Sequence, residues 1–370
     1  MHLLQEPPIE NAPPLRGTAE SYSPRRVQAG PPAVTSADVA RLWSHPRVEL
    51  GTWPTPITTF EHPELGEILV KRDDLSGWGR GGAKARKIEH LLGHLVARGY
   101  DELITVAGNV TNLAFDLLPA LDRHGIAARL FIQNDPPTCA ADREAIFAGA
   151  RERVHLLGAS HARTLQAGLA AYLRSRSRGG RPFLLLPGVS HAAGVLGNAC
   201  GLIEMVEQRL RAGQPLPSTV FVTAATGTTV AGFLVAEAAL RRAGCDPIRV
   251  VGVQIYPGAI QRWTLALVRW TERFARLEGR IPRDRVEILT STLHGGFGDF
   301  PDELAALCAQ VQDEGGPRFD PIFGGKTWAA MERDLRGRRA HERPVLYWHC
   351  GYTPEWQTLG RAVRRGKEGA

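Results

Sequence analysis

From "VELGTWPTPI" at residue 48 onward, short apolar runs rich in β-branched residues alternate with longer stretches whose apolar positions recur at helical spacing. The strand candidates are "EILV", "ELITVAG", "ARLFIQN", "VHLLG", "FLLLPG", "TVFVTAA", "RVVGVQI", "VEILTS" and "PVLYWHC". Between them lie helix candidates such as "ARKIEHLLGHLVARG", "TNLAFDLLPALDRHG" and "GNACGLIEMVEQRLRAG". Several close on glycine, which takes the left-handed conformation of a helix C-terminus at little cost. Strands alternating with helices of this length predict βαβ units, and so an α/β protein with parallel sheets. Residues 1–41 differ: "EPPIENAPPLRG" and "AGPPAVTSAD" are dense in proline and show neither period. A flexible or loosely docked extension is expected there, dispensable for folding.

Composition narrows the class. The chain has 370 residues, 43% of them hydrophobic, enough for a core that needs no disulfides. Its five cysteines, Cys139, Cys200, Cys245, Cys308 and Cys350, are scattered and form no CxxC pair. That argues against a disulfide framework or a zinc site and fits a reducing cytoplasm. No apolar run reaches the ~18 residues of a membrane span, and "MHLLQEPPIE" lacks the pattern of a signal peptide. A net charge of +7 raises the question of nucleic acid. The arginines are dispersed, as in "RLRAG" and "RRGK", with no basic block interleaved with aromatics. No nucleic-acid or membrane partner is expected; the charge suits anionic small molecules.

In parallel sheets, ligands bind beyond the carboxyl ends of strands. Four such loops carry candidate chemistry. The first is "GGAKARK". Only five of the 45 basic residues are lysines, and two of them, Lys84 and Lys87, stand here at a helix start. Arginine stays protonated, whereas a lysine can act as a nucleophile once its surroundings lower its pKa. The second is "TVAGNVTNLAF", where Asn109, Thr111 and Asn112 precede a helix and can hold a carboxylate. Thr111 or Asn112 serves equally well as an ordinary N-cap. The third is "TAATGTTVAGF", a small-residue turn opening a helix, which suits phosphate. It is neither a Walker A loop nor GxGxxG. The fourth is "VLYWHCGYTPEW", where Cys350 follows a strand.

A reactive lysine, a carboxylate loop and a phosphate loop on one α/β scaffold point to pyridoxal 5′-phosphate and a small amino-acid substrate. The motifs also resemble, in order, those of the pyridoxal-phosphate-dependent D-cysteine desulfhydrase and 1-aminocyclopropane-1-carboxylate (ACC) deaminase family. "WPTPI" resembles that family's PTP opening, and "LVKRDDLSG" its KRDDLTG segment. "GGAKARKIE" is similar to GGNKxRKLE, "AGNVTN" to GGxxSN, and "ATGTTVAGF" to its phosphate loop. "EGGPRFDPIFGGK" is similar to EGxxLDPVYTGK, and "HCGY" to HTGG.

The resemblance implies the two-domain fold of the tryptophan synthase β kind (fold type II). Residues 42–88 plus 205–370 would form the large cofactor-binding domain and 89–204 the small one. It implies a homodimer. It makes Lys84 the Schiff-base lysine and Lys87 a phosphate contact. Asn112 falls at the cofactor's phenolic oxygen. Thr111, with Asn109 beside it, falls at the substrate carboxylate. Thr226, Gly227, Thr228 and Thr229 form the phosphate cup, and Cys350 lies near the pyridine nitrogen.

Departures accompany these matches. Ala83 replaces the family Asn, Gly324 the Thr of TGK, and Tyr352 the second Gly of HTGG. Phe297, in the substrate region, stands where relatives carry a Tyr, and Gly296 where the deaminases carry Glu. The cofactor apparatus is kept while the substrate apparatus is altered. The expected activity is a lyase acting at Cα and Cβ by β-elimination or β-replacement, D-cysteine desulfhydrase-like. The alternative is a cofactor-binding homologue without turnover, serving a binding or regulatory role.

Overall fold

A computed structural model describes residues 33–108, 113–133, 150, 152–158, 160–255, 258–290, 298–337, 344–354 and 356–357. In chain order these form α1 (Ala37–Trp43), β1 (Ile57–His62), β2 (Gly66–Arg72), α2 (Lys84–Arg98), β3 (Glu102–Gly108), α3 (Leu113–Arg123), β4 (Ala127–Gln133) and β5 (Val154–Leu157). There follow α4 (His161–Ser177), β6 (Pro182–Leu185), α5 (Ala192–Arg211), β7 (Thr219–Ala224), α6 (Thr228–Arg242), β8 (Arg249–Gln254) and α7 (Ile260–Phe274). The last are β9 (Glu287–Thr290), α8 (Asp302–Asp313), α9 (Gly324–Arg336) and β10 (Val345–His349).

Two sheets result. One has six strands in the order β1-β2-β10-β7-β8-β9, the other four in the order β5-β4-β3-β6. Every pairing is parallel except that of β1 with β2. All nine strand candidates are strands. The antiparallel β1, "ITTFEH", is the addition; it lies just past the prolines of "WPTPI", where no alternating pattern had built up. The central strands β7 and β10 are buried along their whole length, which is why they read as unbroken apolar runs.

The proline-rich stretch needs a correction. Residues 37–43 form α1, a seven-residue helix capped by Ser36, and its Val39 and Leu42 are fully buried in the main core. Buried Asp38 accepts bonds from Arg41, Arg242 and the Glu278 N–H. Two turns are too short to show a period, so the sequence hides a docked helix there. Residues 1–32 lie outside the described residues.

The elements that matter for a site meet at α2. It packs on α5, and α5 packs on α6. Glycines set these distances. A Cβ at Gly197 on α5 would stand 2.0 Å from the Arg86 carbonyl oxygen, and one at Gly201 would stand 3.0 Å from the Arg86 side chain. Gly232 on α6 likewise admits Asn198.

Candidate active site

The start of α2 is fastened to the end of β10. The Ala83 N–H donates to the Cys350 carbonyl at 3.1 Å. Gly82 has φ 102°, and a Cβ there would lie 2.0 Å from that same carbonyl, so glycine is required. Ala83, at the N-cap, offers no side-chain bond to the first turn. Lys84 and Lys87 project from this turn, three residues apart on one face.

Between them, Arg86 is buried in a dense polar network. Its guanidinium donates to both Asp73 oxygens at 2.9 and 2.8 Å, to both Glu204 oxygens at 2.9 Å, and to Thr55 at 3.2 Å. It also stacks on Trp53 at 3.9 Å. Lys71 adds a second cation on Glu204 at 2.7 Å, and Trp348 Nε1 donates to Asp73 at 2.8 Å. Burial works against the Glu204 charge, but Arg86 and Lys71 outweigh it and hold the carboxyl down at about 2. The lysine-bearing turn is therefore pinned to β2, β10 and α5 at once. Farther along α2, Glu89 accepts from the Leu50 and Gly51 N–H groups and from Trp53 Nε1, which fixes the loop leading to "WPTPI".

The two lysines differ in setting. Burial, with the Lys84 charge adding to it, pushes Lys87 down to about 8 against the pull of Cys350. Burial in turn pushes the Cys350 thiol up to about 11, so it is neutral at ordinary pH. Lys84 acts electrostatically on Lys87, on Cys350 and on two buried carboxylates, Asp116 of α3 and Asp320 of the loop before α9. Burial raises Asp320 to about 6, although it accepts N–H bonds from Ile322, Phe323 and Thr353.

Beside β10, strand β7 ends and α6 begins through Gly227, whose φ of 74° places it in the left-handed region. It has no side chain to cap the helix, so the first N–H groups of a 15-residue helix lack a side-chain partner. Hydroxyls ring the turn. Thr226 Oγ1 lies 3.2 Å from Thr228 Oγ1, which lies 3.3 Å from Ser190 Oγ of the loop after β6. Beneath it, the Thr264 hydroxyl of α7 is buried with no hydrogen-bond partner, and a Cβ at Gly227 would stand 2.2 Å from it. Free N–H groups, hydroxyls and an orphaned buried Oγ1 make a cradle suited to a phosphate monoester. Val189, next to Ser190, is a buried β-branched residue at φ 59°, a conformation such residues rarely take.

The lysine-bearing turn is thus tied to the end of β10, and the anion cradle stands at the end of β7, the strand paired beside it. The profile of the family described as "Pyridoxal-phosphate dependent enzyme" matches residues 48–351. The chain belongs to the pyridoxal-phosphate dependent enzymes. Among curated relatives it is 30% identical over 350 residues to the 1-aminocyclopropane-1-carboxylate deaminase of Ralstonia nicotianae, covering 88% of this chain and 99% of that one. It is 28% identical over 318 residues to a putative 1-aminocyclopropane-1-carboxylate deaminase of Pyrococcus abyssi, covering 85% and 94%. An ACC deaminase homologue of known structure shares its fold with a TM-score of 0.72 at 22% identity, over 88% of this chain and 98% of that one. Threonine deaminase isoform 2 from Solanum lycopersicum shares it at 0.54 and 16%, over 80% and 82%.

For a pyridoxal-phosphate dependent enzyme, the residues present fit the cofactor. The turn bearing Lys84 and Lys87 meets Cys350 at the end of β10, and the Thr226–Thr229 turn stands at the end of β7, the strand paired with it. Asn109, Thr111, Asn112 and Phe297 lie outside the described residues. The sequence reading missed Arg86, Asp116, Asp320, Ser190 and Thr264. Arg86 and Asp320 lie inside quoted motifs, but nothing local distinguishes a buried network arginine from a solvated one. Thr264 sits inside an amphipathic helix, where a threonine signals nothing.

Proposed function

We propose that this chain is a pyridoxal-phosphate-dependent lyase acting at Cα and Cβ of a small amino acid, by β-elimination or β-replacement. The observation that supports the reading is the bond from the Ala83 N–H, just before Lys84, to the Cys350 carbonyl at the end of β10, beside the end of β7 from which the uncapped α6 starts. When bound, pyridoxal phosphate would supply an electron sink for charge developing at the substrate α-carbon. Lys84 would hold the cofactor and then take or return the α-proton at its Nζ. The Thr226–Thr229 turn and Lys87 would hold the phosphate. Asn112 would face the phenolic oxygen, and Thr111 with Asn109 would receive the substrate carboxylate. Cys350 stays a neutral thiol at working pH, and in this reading it leaves the pyridine nitrogen without an acidic partner. That favours elimination over transamination.

The curated relatives are named for ACC deamination. Opening a cyclopropane calls for a proton donor beside the ring, and Phe297 carries no hydroxyl. The test is a screen of D- and L-amino acids with β-leaving groups, and of ACC, for ammonia, keto acid or sulfide release, run with wild type and Lys84→Ala. Release from a β-substituted amino acid, absent in Lys84→Ala and negligible from ACC, is expected. Robust ACC turnover would overturn the assignment. No product from any amino acid would favour a homologue that binds the cofactor in a regulatory role.

A further inference from the structure

The four-stranded sheet leaves a cavity at one edge. Strand β5 is the outermost strand there, and α4 packs on β4, β3 and β6. Register sets His155 opposite Phe131 and Leu157 opposite Gln133, so these β5 side chains share the face of β4 that carries Arg129 and Phe131. Phe131 packs with Ala171 of α4 in one apolar cluster. Between the last turn of α4 and β5, a cavity of about 440 Å³ remains. Its walls combine charge with flat apolar surface. Arg129 is held in place: its guanidinium donates to both Glu102 oxygens at 2.6 and 3.0 Å and to the Ala171 carbonyl at 3.4 Å. Arg174 and Arg178 stand one turn apart at the end of α4, and neither has an ion-pair partner among the described residues. Like charges at that spacing repel, and a bound anion relieves the repulsion. Glu152, exposed, is the acid in the lining. With Arg129 neutralised by Glu102, two cations face one carboxylate, so the lining keeps a net positive charge. The half-buried His155 ring stacks on Phe131, with centroids 4.9 Å apart and planes at 24°. Burial, and then the Arg129 charge, lower His155, so it presents a neutral ring at pH 7.

We propose that this cavity is a second ligand site, for a small carboxylate carried on a flat apolar body: the carboxylate pairs with Arg174 and Arg178, and the body lies along His155 and Leu157. Guanidiniums hold a carboxylate through paired N–H donors, and an aromatic body stacks on a ring. An inorganic anion would answer the charge but leave the ring wall in water. None of these residues belongs to the lysine turn or the phosphate cradle. Arg129 and Glu102 stand near the starts of β4 and β3, whereas the catalytic ligand of a parallel sheet sits beyond the strand ends.

Calorimetric titration of the full-length protein with benzoate, phenylacetate and 3-phenylpropanoate tests the site. Phenylacetamide supplies the flat body without the charge, and inorganic phosphate the charge without the body. At least one aryl carboxylate should bind, and more tightly than either comparison. Arg174→Gln together with Arg178→Gln should weaken that binding about tenfold or more. His155→Ala should weaken it as well, while Arg163→Gln, on the first turn of the same helix, should not. All three arginines are exposed, so these variants keep the fold. Binding unchanged in the double variant would overturn the proposal, because the ligand would then sit elsewhere, the phosphate cradle included. Phosphate binding as tightly as the carboxylates, or no binding by any of the three, would overturn it too. The readout needs no turnover, so its failure and that of the lyase reading are distinguishable.

Discussion

At the scale of single residues, the site depends on two lysines made unlike by their surroundings. Burial sets Lys87 near 8, so it is cationic at neutral pH and loses its charge as pH rises through that value. If it holds the cofactor phosphate, affinity should fall above pH 8. Pyridoxine phosphate, which has no aldehyde, isolates this contact. Lys87→Ala should weaken its binding by about 1.5–3 kcal/mol, roughly ten- to a hundredfold, the range of a charge-assisted hydrogen bond. The variant should also lose most of the pH dependence between 7 and 9, as read by equilibrium titration. An undiminished pH dependence in Lys87→Ala would assign the effect to another group.

At the scale of elements, α2 does its work because α5 lets it come close. Gly197→Ala would place a methyl group 2.0 Å from the Arg86 carbonyl oxygen, which is backbone and cannot swing aside. The helices must separate, at a cost of about 1–3 kcal/mol. The denaturant midpoint should fall accordingly, and cofactor affinity should fall with it because the Lys84 turn shifts. A drop in stability with affinity intact would show that the turn is held by β10 alone. This contact also marks the limit of what the sequence reveals. The strands of both sheets other than β1, and the start of α2, are legible because β-branched runs, helical spacing and terminal glycines are local signals. The closing role of Gly197, the clamp on Arg86 and the docking of α1 are not, because each depends on partners more than a hundred residues away. Asp116 is hidden for a local reason: an acid on the first turn of a helix reads as an ordinary dipole partner.

At the scale of the whole molecule, buried histidines sit around α2 and bear on its stability in acid. His90 is held neutral by burial down to about 3, and His94 and His191, with ring centroids 5.1 Å apart, down to about 4. Unfolded, each takes up a proton near pH 6.5. The unfolded chain therefore binds more protons between about 6.5 and 4, and stability falls as pH drops through that window. Asp320, with a folded value of about 6 above the unfolded 3.8, has the opposite sign, as have Glu89, Asp116 and Glu237, which burial also raises; His45, His124, His155 and His349, lowered by burial, add to the histidine side. The thermal midpoint should be lower at pH 5 than at pH 7.5, and an unchanged midpoint would show that the histidines stay solvated. The central claim is that Lys84, on the turn tied to the end of β10, is the lysine that takes the cofactor. Borohydride reduction of the cofactor-loaded protein, followed by peptide mapping, tests it most directly. The account predicts the pyridoxyl group on Lys84; finding it on Lys87, or on no lysine of this turn, would contradict it.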